Sequence, residues 1–132
     1  MNAFFRTIFA SAVAAGCIAT PSLGEPVEGI WRTEPDAQGQ VALVSASSCG
    51  EKLCGSIVAV ENSDGQKIAH PNVGVRLFWD MAETSGGLYQ GRAYVPAHQR
   101  DYAATMQVSG SQMKVRGCFG PVCQSQTWVR TR

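Results

Sequence analysis

Two cysteine pairs constrain this chain most. One lies in "SSCGEKLCG", as Cys49 and Cys54, and the other in "RGCFGPVC", as Cys118 and Cys123. Each pair is separated by four residues that include a glycine, and each is flanked by strand-like sequence. Residues paired across a short antiparallel turn have Cα atoms about 4.5–5.5 Å apart. That distance suits a disulfide, which needs about 4.4–6.8 Å. The chain is therefore expected to be a small exported β protein with stapled turns. Four cysteines allow three connectivities. Geometry favours the two local bridges, each closing a short loop for roughly 2 kcal/mol, while the long-range pairings stay open. A zinc site is not expected, because the thiols lack the tighter spacing or histidine partners of such sites.

The N-terminus agrees with export. "MNAFFR" carries one charge, Arg6. An apolar small-residue run, "TIFASAVAAGCIA", follows it, and then "TPSLG". This is the layout of a secretory signal. Pro21 interrupts the run before the roughly 20 apolar residues that a membrane span requires. The expected organisation is a signal over residues 1–24 and one domain over 25–132, periplasmic or secreted, in keeping with a Gram-negative bacterium. Cys17 in "VAAGC" partly resembles a lipoprotein box, but Ala14 stands where leucine is usual, so lipid anchoring through Cys17 is the second choice.

With Arg6 set aside, ten Lys and Arg balance ten Asp and Glu, and no basic run occurs. Nucleic acid is thus not an expected partner. The sequence names no protein partner, and no transmembrane segment is expected in the mature chain.

Eight strand-like runs recur: "EGIWRTE", "VALVSASS", "CGSIVAV", "VRLFWDM", "LYQGRAYV", "YAATMQV", "QMKVRGCF" and "QSQTWVR". Gly, Pro, Asn, Asp and Ser break them. Short even spacing of this kind suggests a sandwich or barrel. Short links also favour an up-and-down meander that closes on itself. The expected fold is all-β, an eight-stranded antiparallel up-and-down barrel. At this size the interior is either filled or holds one small ligand. In "RLFWDM", alternation puts Leu77 and Trp79 on one face and Arg76, Phe78 and Asp80 on the other. In "QMKVRG", Met113 and Val115 share a face opposite Lys114 and Arg116. The break from Glu61 to Gly74 is the natural mouth loop.

Gly29-Ile30-Trp31 on the first strand resembles the Gly-x-Trp that opens lipocalin barrels. That resemblance implies that Trp31 closes the barrel base beneath an arginine, Arg116 or Arg130, near Trp128. A guanidinium over an indole is favourable by about 0.5–2 kcal/mol. More broadly, "GIWRTEPDAQGQVALV", "CGEKLCGSIVAV" and "VRGCFGPVCQSQTWVR" resemble the domain-of-unknown-function 2147 family of bacterial exported proteins. The family is similar to lipocalins and other calycins in fold and brings no established activity. The segment "ENSDGQKIAHPNVGVRLFWDM" departs from its usual pattern.

The two histidines, His70 and His98, lie in loops near Asp64 and Asp101, and no nucleophile elbow is present. An enzyme built on His98 and Asp101 ranks last, so no catalytic residue, metal or cofactor is expected. "NSDG" lacks the ligand alternation of a calcium loop and reads as a turn. Among the central aromatics and charges, Phe78 and Tyr94 are the candidate pocket lining. Arg76 and Arg92 are the candidate anchors for a carboxylate or phosphate head. The expected function is capture of a small amphipathic or hydrophobic ligand. The alternative is a filled barrel serving as a protein-binding or envelope structural module.

Overall fold

Among the described residues nine antiparallel strands follow one another: β1 (Gly29–Arg32), β2 (Val41–Cys49), β3 (Lys52–Glu61), β4 (Lys67–Ile68), β5 (Arg76–Ser85), β6 (Leu88–Val95), β7 (Arg100–Ser109), β8 (Gln112–Phe119) and β9 (Val122–Arg130). A 3-10 turn, Pro96–His98, joins β6 to β7. This computed structural model describes residues 27–131 and Gly16. The expected signal, Gly16 aside, and Cys17 lie outside the described residues. Among those residues no helix is long and apolar enough to cross a membrane.

Each ring strand pairs with its neighbours in sequence, and the sheet closes because β2 also pairs with β3 and β1 with β9. β4 pairs only with the end of β3, at Val60 and Glu61, and stands outside the ring. Eight strands therefore form a closed up-and-down barrel, and each corresponds to one of the eight runs read from the sequence.

Period-two alternation explains most of the wall. In β8, Met113 is fully buried and Val115 packs on the core, while Lys114 and Arg116 are exposed. β5 departs from this pattern. Trp79 pairs with Arg92 but Ala82 pairs with Gln90, so β5 carries one extra residue between them. Asp80 absorbs it with φ 56°, a left-handed conformation that Asp tolerates better than most residues. Gly91 lies opposite, where a Cβ would meet the Trp79 carbonyl oxygen at 2.6 Å. A second shift against β3 lies between the pairs Gly55–Phe78 and Ser56–Arg76. As a result Leu77 and Phe78, adjacent in sequence, are both buried, and Met81 joins them three residues later. The even alternation expected for "RLFWDM" is thus corrected by two bulges. Phe78 enters the interior, while Arg76 and Asp80 stay exposed.

Both cysteine pairs are bridged locally. Cys118 sits directly opposite Cys123, with Cα atoms 4.1 Å apart. Cys49 instead pairs with Lys52 and Cys54 with Ser47, so the first bridge runs diagonally across its hairpin. The two bridges lie at opposite ends of the barrel.

Candidate functional site

The barrel has a sealed end and an open end. Trp31 is completely buried at the sealed end, and its indole N–H donates to the Val27 carbonyl at 2.8 Å. The Arg130 guanidinium covers the ring, with Cζ 4.3 Å from the centroid, and Arg130 Nη1 donates to the Glu28 carbonyl at 2.5 Å. Gly29, at φ 132°, carries the backbone turn into β1. Of the two arginines considered for this place, Arg130 occupies it, while Arg116 is exposed on the outside of β8. Val44, Met81, Tyr89, Met106 and Met113 fill the adjoining core.

Above this plug the barrel is hollow. A cavity of about 900 Å³ opens at the end formed by the β1–β2, β3–β5, β6–β7 and β8–β9 connections. Ligand pockets commonly hold about 300–1,000 Å³. Phe78 and Trp128 form the floor with centroids 6.3 Å apart, and Ile57, Leu77 and Val115 line the wall. The Trp128 indole N–H donates to Gln126 Oε1 at 2.9 Å, which fixes both side chains at the cavity surface. Thr33, Glu34 and Asp36 contribute from the β1–β2 loop, and His70 and Asn72 from the long β3–β5 loop.

The rim is aromatic. His98 Nδ1 lies 2.9 Å from the Tyr102 hydroxyl, and Tyr102 meets Phe119 edge-on at 6.2 Å. Phe119 and Val122 are each 64% exposed and flank the Cys118–Cys123 bridge. Exposed apolar side chains gathered at an opening suit contact with an apolar guest or surface.

One side of the wall is also incomplete. β1 and β9 share only the pairs Trp31–Arg130 and Arg32–Val129, with the Thr131 N–H donating to Ile30 O at 2.8 Å. Antiparallel alternation aims the backbone groups of Cys123, Ser125 and Thr127 in the same direction. No described strand pairs with them there. The cavity reaches this gap, since Gln124, Ser125 and Gln126 all line it despite their alternating directions.

Of the four residues expected to bind ligand, Phe78 and Tyr94 line the cavity, and Arg76 and Arg92 do not. Arg92 projects outward to Asp101, with Nη2 2.6 Å and Nε 3.0 Å from Oδ2. That hydrogen bond holds the Asp101 carboxyl below its ordinary value. The suggested His98–Asp101 pairing is not formed, because His98 contacts Tyr102 while Arg92 takes Asp101. His70 Nδ1 accepts the Asn72 N–H at 3.0 Å, a loop-stabilising bond. Among the described residues no three His, Cys, Asp or Glu side chains gather as a metal site. Glu34, Asp36 and Gln124 were not singled out from the sequence. Gln124 shares strand parity with Trp128 and could have been found that way. Glu34 and Asp36 sit in an aperiodic turn that carries no such signal.

The model of the family described as "Uncharacterized protein conserved in bacteria (DUF2147)" matches residues 29–130. The chain belongs to the DUF2147 family. The matched span includes every ring strand, both disulfides and the Trp31–Arg130 seal of this DUF2147 barrel. No curated protein matches the sequence. A solved structure described as "Protein HP1028 from the human pathogen Helicobacter pylori belongs to the lipocalin family" is similar, with a TM-score of 0.64 and 16% identity, over 80% of this chain and 82% of that one. At this identity the similarity is one of fold, so the DUF2147 chain has a lipocalin-like barrel.

Proposed function

We propose that this DUF2147 protein is a non-enzymatic binder of a small amphipathic molecule, working in the periplasm or after secretion. One observation carries the reading: a cavity of about 900 Å³, floored by Phe78 and Trp128 and sealed below by Trp31, opens to solvent at the far end. A mostly apolar lining with a few placed polar groups suits capture by burial of a tail. The cavity argues against the filled-barrel alternative. Two disulfides favour an oxidising compartment, and the signal-like N-terminus supports export.

Native and denaturing mass spectrometry of protein from its host's periplasm tests this reading. Mass held natively and lost on denaturation is the expected result, and the denatured mass also reports signal cleavage and any acyl group on Cys17. A bare native mass, together with no change in Trp128 fluorescence across a panel of amphipaths, would refute ligand capture. A Trp128→Phe variant identifies the contribution of that indole.

A further inference from the structure

The cavity carries a charge preference. Among the described residues that line it, none is Lys or Arg. The described arginines are directed elsewhere: Arg32 to Glu61, Arg92 to Asp101 and Arg130 to the sealing indole. Arg100 lies over the Phe119 ring, 5.6 Å from its centroid, and is not part of the lining. The lining does hold two carboxylates, Glu34 and Asp36, on the β1–β2 loop. Asp36 uses one oxygen, Oδ1, to accept the N–H groups of Gln38 and Gln40 at 2.9 Å each, which leaves Oδ2 available. The Glu34 side chain is exposed and has no described protein partner. Aromatic faces complete the surroundings, with Tyr94, Tyr102 and Phe119 towards the opening and Phe78 and Trp128 below. Carboxylates attract a cation, aromatic faces attract it through their quadrupole, and a low-dielectric wall strengthens both effects. An anionic head would meet two like charges and neither Lys nor Arg, and the two histidines of the lining are engaged within the wall, His70 with the Asn72 N–H and His98 with the Tyr102 hydroxyl.

We propose that the ligand is a cationic amphipath, with an organic ammonium head at Glu34 and Asp36 and an apolar tail on the Phe78–Trp128 floor. This rests on the ligand-binding reading above. The specificity is set by the β1–β2 loop rather than by an arginine anchor.

Calorimetric titration with two probes of equal tail length, dodecyltrimethylammonium and dodecanoate, both below micelle formation, tests the assignment. Dodecyltrimethylammonium is expected to bind roughly fivefold tighter or more at low ionic strength, and the difference should shrink in high salt. Glu34→Gln should narrow it and Glu34→Lys should reverse it. Glu83→Gln, on an exposed carboxylate outside the cavity lining, should leave it intact. Thermal melts establish that each variant is folded. Equal or tighter binding of dodecanoate overturns the charge assignment and leaves the ligand-binding reading standing. A preference that persists unchanged in folded Glu34→Lys also overturns it. Binding of neither probe overturns both.

Discussion

The Arg130 guanidinium lies over the Trp31 indole, 4.3 Å from Cζ to ring centroid, and joins the last ring strand to the first. Two separate interactions converge there, because the same guanidinium donates to the Glu28 carbonyl. Arg130→Ala should therefore lower the unfolding free energy by about 1–2 kcal/mol. Trp31→Ala, which empties a fully buried site, should cost about 3–5 kcal/mol. Urea denaturation measures both. An Arg130→Ala midpoint equal to that of wild type would refute the sealing role.

Gly55 and Phe78 are a matched pair. A Cβ on Gly55 would fall 2.3 Å from the Phe78 ring. Gly55→Ala should destabilise the barrel by about 1–3 kcal/mol through overpacking and push the ring into the cavity. The cost should fall in a Phe78→Leu background, since residues in contact are not additive. Additive costs in that double-mutant cycle would mean that the ring does not define the position.

The two disulfides should separate stability from binding. Each closes a short loop and is worth roughly 2 kcal/mol by chain entropy. Reduction should thus lower Tm markedly. The Cys118→Ser/Cys123→Ser variant should also weaken ligand binding, because that bridge anchors Phe119 and Val122 at the opening. The Cys49→Ser/Cys54→Ser variant, altered at the sealed end, should lose stability and keep its affinity. Equal affinity loss in both variants would contradict this division.

Asp101 should titrate below an ordinary aspartate because Arg92 hydrogen-bonds its carboxylate. A depressed folded pKa means that the pair supports the fold above the ordinary carboxylate value and loses that support as pH falls through the folded pKa. The pair is exposed, at 43% for Arg92 and 46% for Asp101, so the contribution is small. NMR titration should show the Asp101 midpoint rising in Arg92→Ala. Ligand affinity should not change in Arg92→Ala or Arg76→Ala, since neither side chain lines the cavity.

The fold was legible because eight short runs with turn residues between them leave few other ways to remove sheet edges. Trp31 was legible as a seal through its motif. The choice of Arg130 over Arg116 was not, because it depends on which strand closes the ring. The cavity residues were legible in part. Phe78 and Arg76 share strand parity and the bulges of β5 separate them, while Tyr94 shares parity with the outward Arg92 and still lines the cavity at the end of β6, beside the turn into β7. Such bulges leave little trace in sequence: Asp80 takes a positive φ without being glycine. The carboxylates of the β1–β2 loop escaped for a related reason, since loops have no period from which a direction could be read.

The short β1–β9 ladder has a mechanical consequence. A barrel whose wall is bonded around its whole circumference can change its bore only by breaking hydrogen bonds. Here, among the described residues, no strand pairs with the β1 side of β9 from Val122 to Trp128, while Trp31 and Arg130 clamp its foot. The wall is thus least constrained along one line, and any widening of the bore would fall there rather than on the fully bonded strands.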